Sequence, residues 1–172
     1  MPEANKNLWT PWRMQYLESM ESEKKQAGCF LCRYRDEPAA DAANGVLMRS
    51  PRVLVVVNKF PYTNGHLLVC PAQHTGSLDE LPEETLFEAT TRIRDVRRIL
   101  ERSVSAQGFN IGINIGHCAG AGLPEHLHWH VVPRWSGDTS FMASIGDVRL
   151  IPQSLDSIRD AFNRAARDLG LA

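Results

Sequence analysis

The sequence predicts an α+β fold, a five-stranded antiparallel sheet with a long helix and a C-terminal helix. Three observations carry that expectation. Runs rich in Val, Leu and Met at 45–49, 53–57 and 66–70 follow one another at distances that favour antiparallel pairing. Two later runs, 109–116 and 126–132, alternate apolar with small or polar residues, the period of a half-buried strand. Two stretches, from Pro82 to about 107 and over about 154–169, repeat apolar residues at helical spacing. At 172 residues the chain reads as a single domain over 1–172 with room for a real core.

Taken in order, the chain opens on polar residues 1–7. Trp9, Trp12 and Tyr16 then recur at spacings of three and four, and Thr10 with Pro11 behind it suits a helix start. This predicts a helical extension over about 8–27, its aromatic face packed on the body or on a second subunit. Cys29-Phe30-Leu31-Cys32 is a C-x-x-C. A thioredoxin-like role wants a βαβ setting, which the pattern lacks. Zinc wants a second ligand pair, and Cys70 and Cys118 stand alone, so histidines would have to supply it. The plainer reading is two reduced thiols near the surface.

Residues 36–44 read as a connector. A turn at Ser50-Pro51 splits the first two strands, and Asn64-Gly65 suits a loop with positive φ. Pro71 closes the third strand. Pro82-Glu83-Glu84 puts proline and acids in the first turn of the long helix, and Leu86, Ala89, Ile93, Val96 and Leu100 form its apolar face. Its end is expected near Gln107-Gly108. Arg92, Arg94, Arg97, Arg98 and Arg102 read as a solvated face rather than a nucleic-acid surface, since the net charge is only −1. In the next strand Phe109, Ile111, Ile113 and Ile115 oppose Asn110, Gly112, Asn114 and Gly116, which sends Asn114 toward a cleft. A glycine-rich loop follows, where backbone N–H groups can approach an anion. Ser154 can cap the last helix, with Leu155, Ile158, Phe162, Ala165 and Leu169 on one face and Gly170 at its end.

No apolar run approaches the roughly 20 residues of a membrane helix, and residues 1–6 lack the apolar region of a signal peptide. Four cysteines in such a chain fit a reducing cytoplasm better than a disulfide framework. Neither membrane nor nucleic acid is expected as a partner.

Half of the six histidines lie in His126-Leu127-His128-Trp129-His130. In a strand all three would project from one face, Cα atoms roughly 6.5–7 Å apart, with Leu127, Trp129 and Val131 turned to the core. This His-apolar-His-apolar-His-apolar-apolar run resembles the signature of the histidine triad (HIT) family of nucleotide hydrolases and transferases. Asn114-Ile115-Gly116, then Ala119-Gly120, then the triad, is similar to the family's order, as is the upstream run from Gly65 to His74. Leu8-Trp9-Thr10-Pro11-Trp12-Arg13 and Pro133-Arg134-Trp135-Ser136-Gly137-Asp138 resemble one branch, the bacterial diadenosine tetraphosphate phosphorylase-like proteins.

The resemblance implies a HIT-like fold, a dinucleoside polyphosphate as substrate and a covalent histidine–AMP intermediate. His128 would attack the α-phosphorus, and His130 would hydrogen-bond a phosphoryl or leaving-group oxygen. Asn114 and the Gly120 and Gly122 amides would hold non-bridging oxygens, where transition-state charge collects. Asn58 falls where many members carry an Asp that holds ribose hydroxyls, and His66 is expected to be structural. Zinc-bearing relatives imply a structural zinc on Cys29, Cys32, His74 and His126, with no organic cofactor. A homodimer or higher homo-oligomer is implied as well. The acceptor stays open: phosphate makes a phosphorylase, water a dinucleoside polyphosphate hydrolase or an adenosine phosphoramidase. Gly122 departs from the Ser or Gln that relatives typically offer four residues before the first triad histidine. The related nucleotide-sugar transferases carry Gln at the third histidine and are longer, so His130 argues against them. The non-enzymatic alternative is a zinc-stapled nucleotide-binding module.

Overall fold

A computed structural model of the chain describes residues 28–138 and 151–171. The aromatic stripe at Trp9, Trp12 and Tyr16 lies outside these residues. The described part is the expected α+β arrangement. Helix α1 (Phe30–Asp36) and a short α2 (Asp41–Asn44) precede β1 (Val46–Arg49), β2 (Val53–Val57) and β3 (Leu67–Pro71). Then come the long α3 (Glu83–Val104), β4 (Gly108–Ile113), β5 (Trp129–Arg134) and α4 (Leu155–Asp168). The sheet order is β1-β2-β3-β5-β4, and every neighbouring pair is antiparallel.

Alternation along the strands splits the sheet into two chemically different faces. Val53, Val55, Val57, Leu67, Val69 and Val131 face a core completed by Ala89, Val96, Ile99 and Leu100 of α3 and by Ile158, Phe162, Ala165 and Ala166 of α4. On the opposite face Leu54, Val56, Leu68 and Cys70 pack under Leu31 and Tyr34 of α1. Because β2 and β3 are covered on both faces, all ten of their residues are buried. Gly65 turns the chain into β3 at φ +83°, and a Cβ there would press on Leu100 Cδ2 (3.3 Å) and Phe162 Cζ (3.4 Å). The glycine thus lets the loop sit tight on the helical core while the next residue, His66, emerges on the other face.

Several expectations need correction. Helix α1, where the sequence showed only a C-x-x-C, is a helix because Leu31 and Tyr34 are buried on the sheet (0% and 1% exposed), and α2 forms inside the expected connector; tertiary packing supplies what the seven-residue α1 lacks alone. The long helix stops at Val104, short of Gly108: Ser105 takes the left-handed cap conformation (φ 52°), and Gly108 opens β4 instead. The triad does not lie wholly in a strand, since β5 begins only at Trp129. The β3–β5 register, Leu67↔Val131 to Val69↔Trp129, carried further would set Pro71 against Leu127. Proline offers no N–H, so the ladder ends there. Leu127 N–H bonds Thr75 O (2.8 Å) instead. Four of the five arginines named on α3 are met by carboxylates: Arg92 and Arg94 by Asp95, Arg97 by Glu101, Arg102 by Asp168. None of the helices among the described residues is long and apolar enough to cross a membrane.

Candidate functional site

The site lies on the α1 side of the sheet. There, three side-chain rows run next to one another: His66 leading into Leu68 and Cys70 of β3, His128 leading into His130 of β5, and Asn110 and Gly112 of β4 followed by Asn114 just past its end. Register fixes the lateral neighbours, His130 standing between Leu68 and Gly112. A Cβ on Gly112 would meet nothing within 4 Å, so the sheet is open beside His130.

His128 is 7% exposed, and its Nδ1–H donates to the His126 carbonyl (2.9 Å). A neutral ring held that way keeps its lone pair on Nε2. The His130 ring meets that of His128 edge-on at 5.0 Å and stacks on Tyr62 at 5.5 Å. Its Nδ1 lies 3.0 Å from His66 Nε2, and its Nε2 lies 3.5 Å from Asn114 Nδ2. Burial, with lesser repulsion from the other imidazoles, holds His66 down to about 3 and His130 down to about 4. The pair is therefore neutral at physiological pH.

The first triad histidine turns elsewhere. His126 is fully buried; its Nε2–H donates to the Pro71 carbonyl (2.8 Å), which leaves Nδ1 with its lone pair. That atom lies 3.1 Å from Cys29 Sγ, 3.6 Å from Cys32 Sγ and 3.3 Å from His74 Nδ1. Cys32 Sγ is 3.3 Å from the same His74 nitrogen, and all four ligand atoms fall within 4.8 Å of one another. A tetrahedral zinc with Zn–N near ~2.05 Å and Zn–S near ~2.3 Å requires separations of roughly 3.3 Å between nitrogens and roughly 3.6 Å between N and S. The Cys2His2 set fits that demand, and the Pro71 carbonyl supplies the outer hydrogen bond that metal-bound imidazoles usually have. Burial holds the Cys29 thiol up at about 11, against the Cys32 backbone N–H, which draws it down, and with the Cys32 side chain, which adds to the rise; a dication would reverse this and bind the thiolate.

Two backbone features deliver His126 to that cluster. Leu127 N–H is tied to Thr75, one residue past His74. Gly76 lets the lead-in loop approach, since a Cβ there would stand 2.4 Å from Pro124 O. Nothing in the sequence pattern marked Gly76.

The structure gathers His66, His128, His130 and Asn114 in one place and Cys29, Cys32, His74 and His126 in the adjoining one. Asn58 joins the first group indirectly, its Nδ2 lying 3.1 Å from His66 Nδ1. The glycine loop is less simple. Gly120 N–H donates to His117 O (3.0 Å), so the loop must open before that amide can hold a phosphoryl oxygen. Among the described residues no hydrogen bond joins Gly120 or Gly122 to the imidazoles. Tyr62, whose ring covers both His66 and His130, was missed; its place in a loop gave no periodic signal.

Comparison with known proteins agrees with this geometry. Residues 40–137 match the HIT domain model. The chain is 36% identical over 155 residues to an AP-4-A phosphorylase of Mycobacterium tuberculosis, covering 88% of this chain and 80% of that one. It is also 36% identical over 95 residues to an asymmetrical bis(5'-nucleosyl)-tetraphosphatase of Schizosaccharomyces pombe, covering 55% and 52%. Among solved structures, a zinc-bound histidine triad family protein of Mycobacterium smegmatis superposes with a TM-score of 0.68 at 29% identity, over 83% of this chain and 96% of that one.

Proposed function

The chain belongs to the HIT family of nucleotide hydrolases and transferases, and from that premise we propose that it cleaves dinucleoside polyphosphates in the manner of a diadenosine tetraphosphate phosphorylase. The observation that carries the proposal is the held imidazole: His128 with Nδ1–H on a backbone carbonyl, Nε2 unprotonated, beside a neutral His130 on an open sheet face. His128 Nε2 attacks the α-phosphorus and displaces ATP, forming a P–N bond as the P–O bond breaks. His130 donates a hydrogen bond toward the departing oxygen, and Asn114, with the Gly122 and reopened Gly120 amides, holds the non-bridging oxygens. Asn58 serves the ribose with the hydrogen-bonding capacity it does not spend inward. Phosphate then attacks the His128–AMP and leaves as ADP, freeing the imidazole.

The likeness to a phosphorylase favours phosphate as acceptor, while the likeness to a tetraphosphatase keeps water in view. Incubation with diadenosine tetraphosphate, with and without phosphate, decides. ATP plus ADP, formed only with phosphate, is expected. AMP without phosphate makes the protein a hydrolase or phosphoramidase, and binding without turnover leaves a nucleotide-binding module.

Cys29, Cys32, His74 and His126 would hold a structural zinc, supplying a staple between α1 and the triad segment and no chemistry at phosphorus. Metal content below a tenth of an equivalent in protein purified without added metal counts against it. We also propose a homodimer: β4 is an edge strand, and Ile111 and Ile115 on or just past it are 47% and 45% exposed. A monomer mass by light scattering removes that proposal. A cytoplasmic location fits four cysteines that are all free thiols.

A further inference from the structure

Behind His130 stands a chain of hydrogen bonds whose direction can be read from its far end. Asn58 Oδ1 accepts Phe60 N–H (2.9 Å), which fixes the amide the other way round at its second contact. Its Nδ2 therefore donates to His66 Nδ1 (3.1 Å). Tyr62 N–H donates to the same His66 nitrogen (3.1 Å). An imidazole nitrogen receiving two donors cannot carry a proton. The proton of neutral His66 is thus on Nε2, 3.0 Å from His130 Nδ1. His130 accepts there, so its own proton is on Nε2, the nitrogen beside Asn114 and the open sheet face. From Asn58 to His130 each contact pairs one donor with one acceptor, and the outer contact joins them once the Asn114 amide, whose Nδ2 stands 3.5 Å from His130 Nε2, turns its Oδ1 to accept that proton. The ring between them, His66, is 1% exposed, out of reach of water that could supply an alternative.

We propose that Asn58, acting through His66, is the positioning residue that makes His130 a hydrogen-bond donor at Nε2. This rests on the reading above that His130 meets the departing oxygen, and it gives Asn58 a second task besides ribose. The amide has two N–H bonds and two oxygen lone pairs; one of each is spent inward, on His66 and Phe60, and one of each remains for a diol. The side chain at 58 matters by its chemistry and not its shape. A carboxylate in the same place would offer His66 Nδ1 an acceptor in place of a donor and draw a proton onto it.

The test uses the whole protein, 15N-labelled at histidine, with Asn58→Asp beside it. In the unaltered protein His66 and His130 should each show an unprotonated Nδ1 and a protonated Nε2. In N58D, His66 Nδ1 should move to the protonated range. A protonated His66 Nδ1 in the unaltered protein overturns the inference, and so does an N58D spectrum with His66 unchanged. Turnover separates this role from ribose binding and from the assigned chemistry. N58D should lose roughly 10–100-fold in kcat on diadenosine tetraphosphate, and several-fold less on an AMP ester with an activated aryl leaving group, which needs no donor. Equal losses on both substrates, with the tautomers as stated, uphold the tautomer assignment and remove His130 from the departing oxygen.

Discussion

The two ends of the triad use the same side chain for opposite purposes. His126 and His130 both carry the proton on Nε2, His126 because it donates there to a carbonyl and His130 because it accepts at Nδ1. His126 turns that proton inward to the Pro71 carbonyl and presents a lone pair to two thiols and His74. His130 takes its inward bond at Nδ1 and turns the proton outward. His128, between them, is the reverse of both, its proton on Nδ1 and its lone pair on Nε2. What an imidazole can do is set by what grips its second nitrogen, and here each grip comes from a different stretch of chain: β3's last residue, the loop before β3, and the triad backbone itself.

If the two ends are separate devices sharing one backbone, removing the middle ring should abolish chemistry and leave the metal end alone. His128→Ala should lower turnover of diadenosine tetraphosphate by about 10³-fold or more, with zinc content unchanged. Turnover within tenfold of the parent would discard His128 as the nucleophile, and loss of zinc would mean the ends are not separable in that direction.

The reverse direction should not be clean. The carbonyl that holds His128 belongs to His126, so loosening the metal cluster loosens the nucleophile's anchor. Replacing both Cys29 and Cys32 by Ser should reduce zinc below a tenth of an equivalent and lower kcat about tenfold with KM little changed, because neither thiol lies against the imidazoles of the cleft. An unaltered kcat in metal-free protein would show that the His126 carbonyl keeps its place without the metal.

These contacts also explain what the sequence could and could not reveal. The strands, α3 and α4 were legible because period-two and period-3.6 patterns are local properties of a segment. The metal quartet was legible only through a family resemblance, since Cys29 and His126 are 97 positions apart. Hidden from any local pattern was the halt of β5 at Trp129, which depends on a proline in another strand. So was the His66–His130 bond, which spans 64 positions. Helix α1 was hidden for a third reason: its stability comes from where Leu31 and Tyr34 land rather than from its own seven residues.

The smallest expected effect is on stability, and it is read at the cleft end by removing His66. His66, held at about 3 against an ordinary 6.5, stays neutral in the fold while the unfolded chain protonates it. The unfolded state then binds more protons, so stability rises with pH through this window and is lost as pH falls below 6.5, levelling off only near 3. For His66 the slope approaches about 1.4 kcal/mol per pH unit once well below 6.5. His130, held at about 4, adds in the same sense but is partly open to solvent, so its share is smaller. Between pH 7 and 5 ordinary carboxylates of the unfolded chain remain ionised, which leaves the decline to imidazoles. His66→Gln keeps an acceptor for Tyr62 N–H and removes the titrating ring. Its Tm should therefore fall less between pH 7 and 5 than that of the parent. An equal fall in both proteins would mean that His66 titrates alike folded and unfolded, and the neutral pair behind the cleft would lose its support.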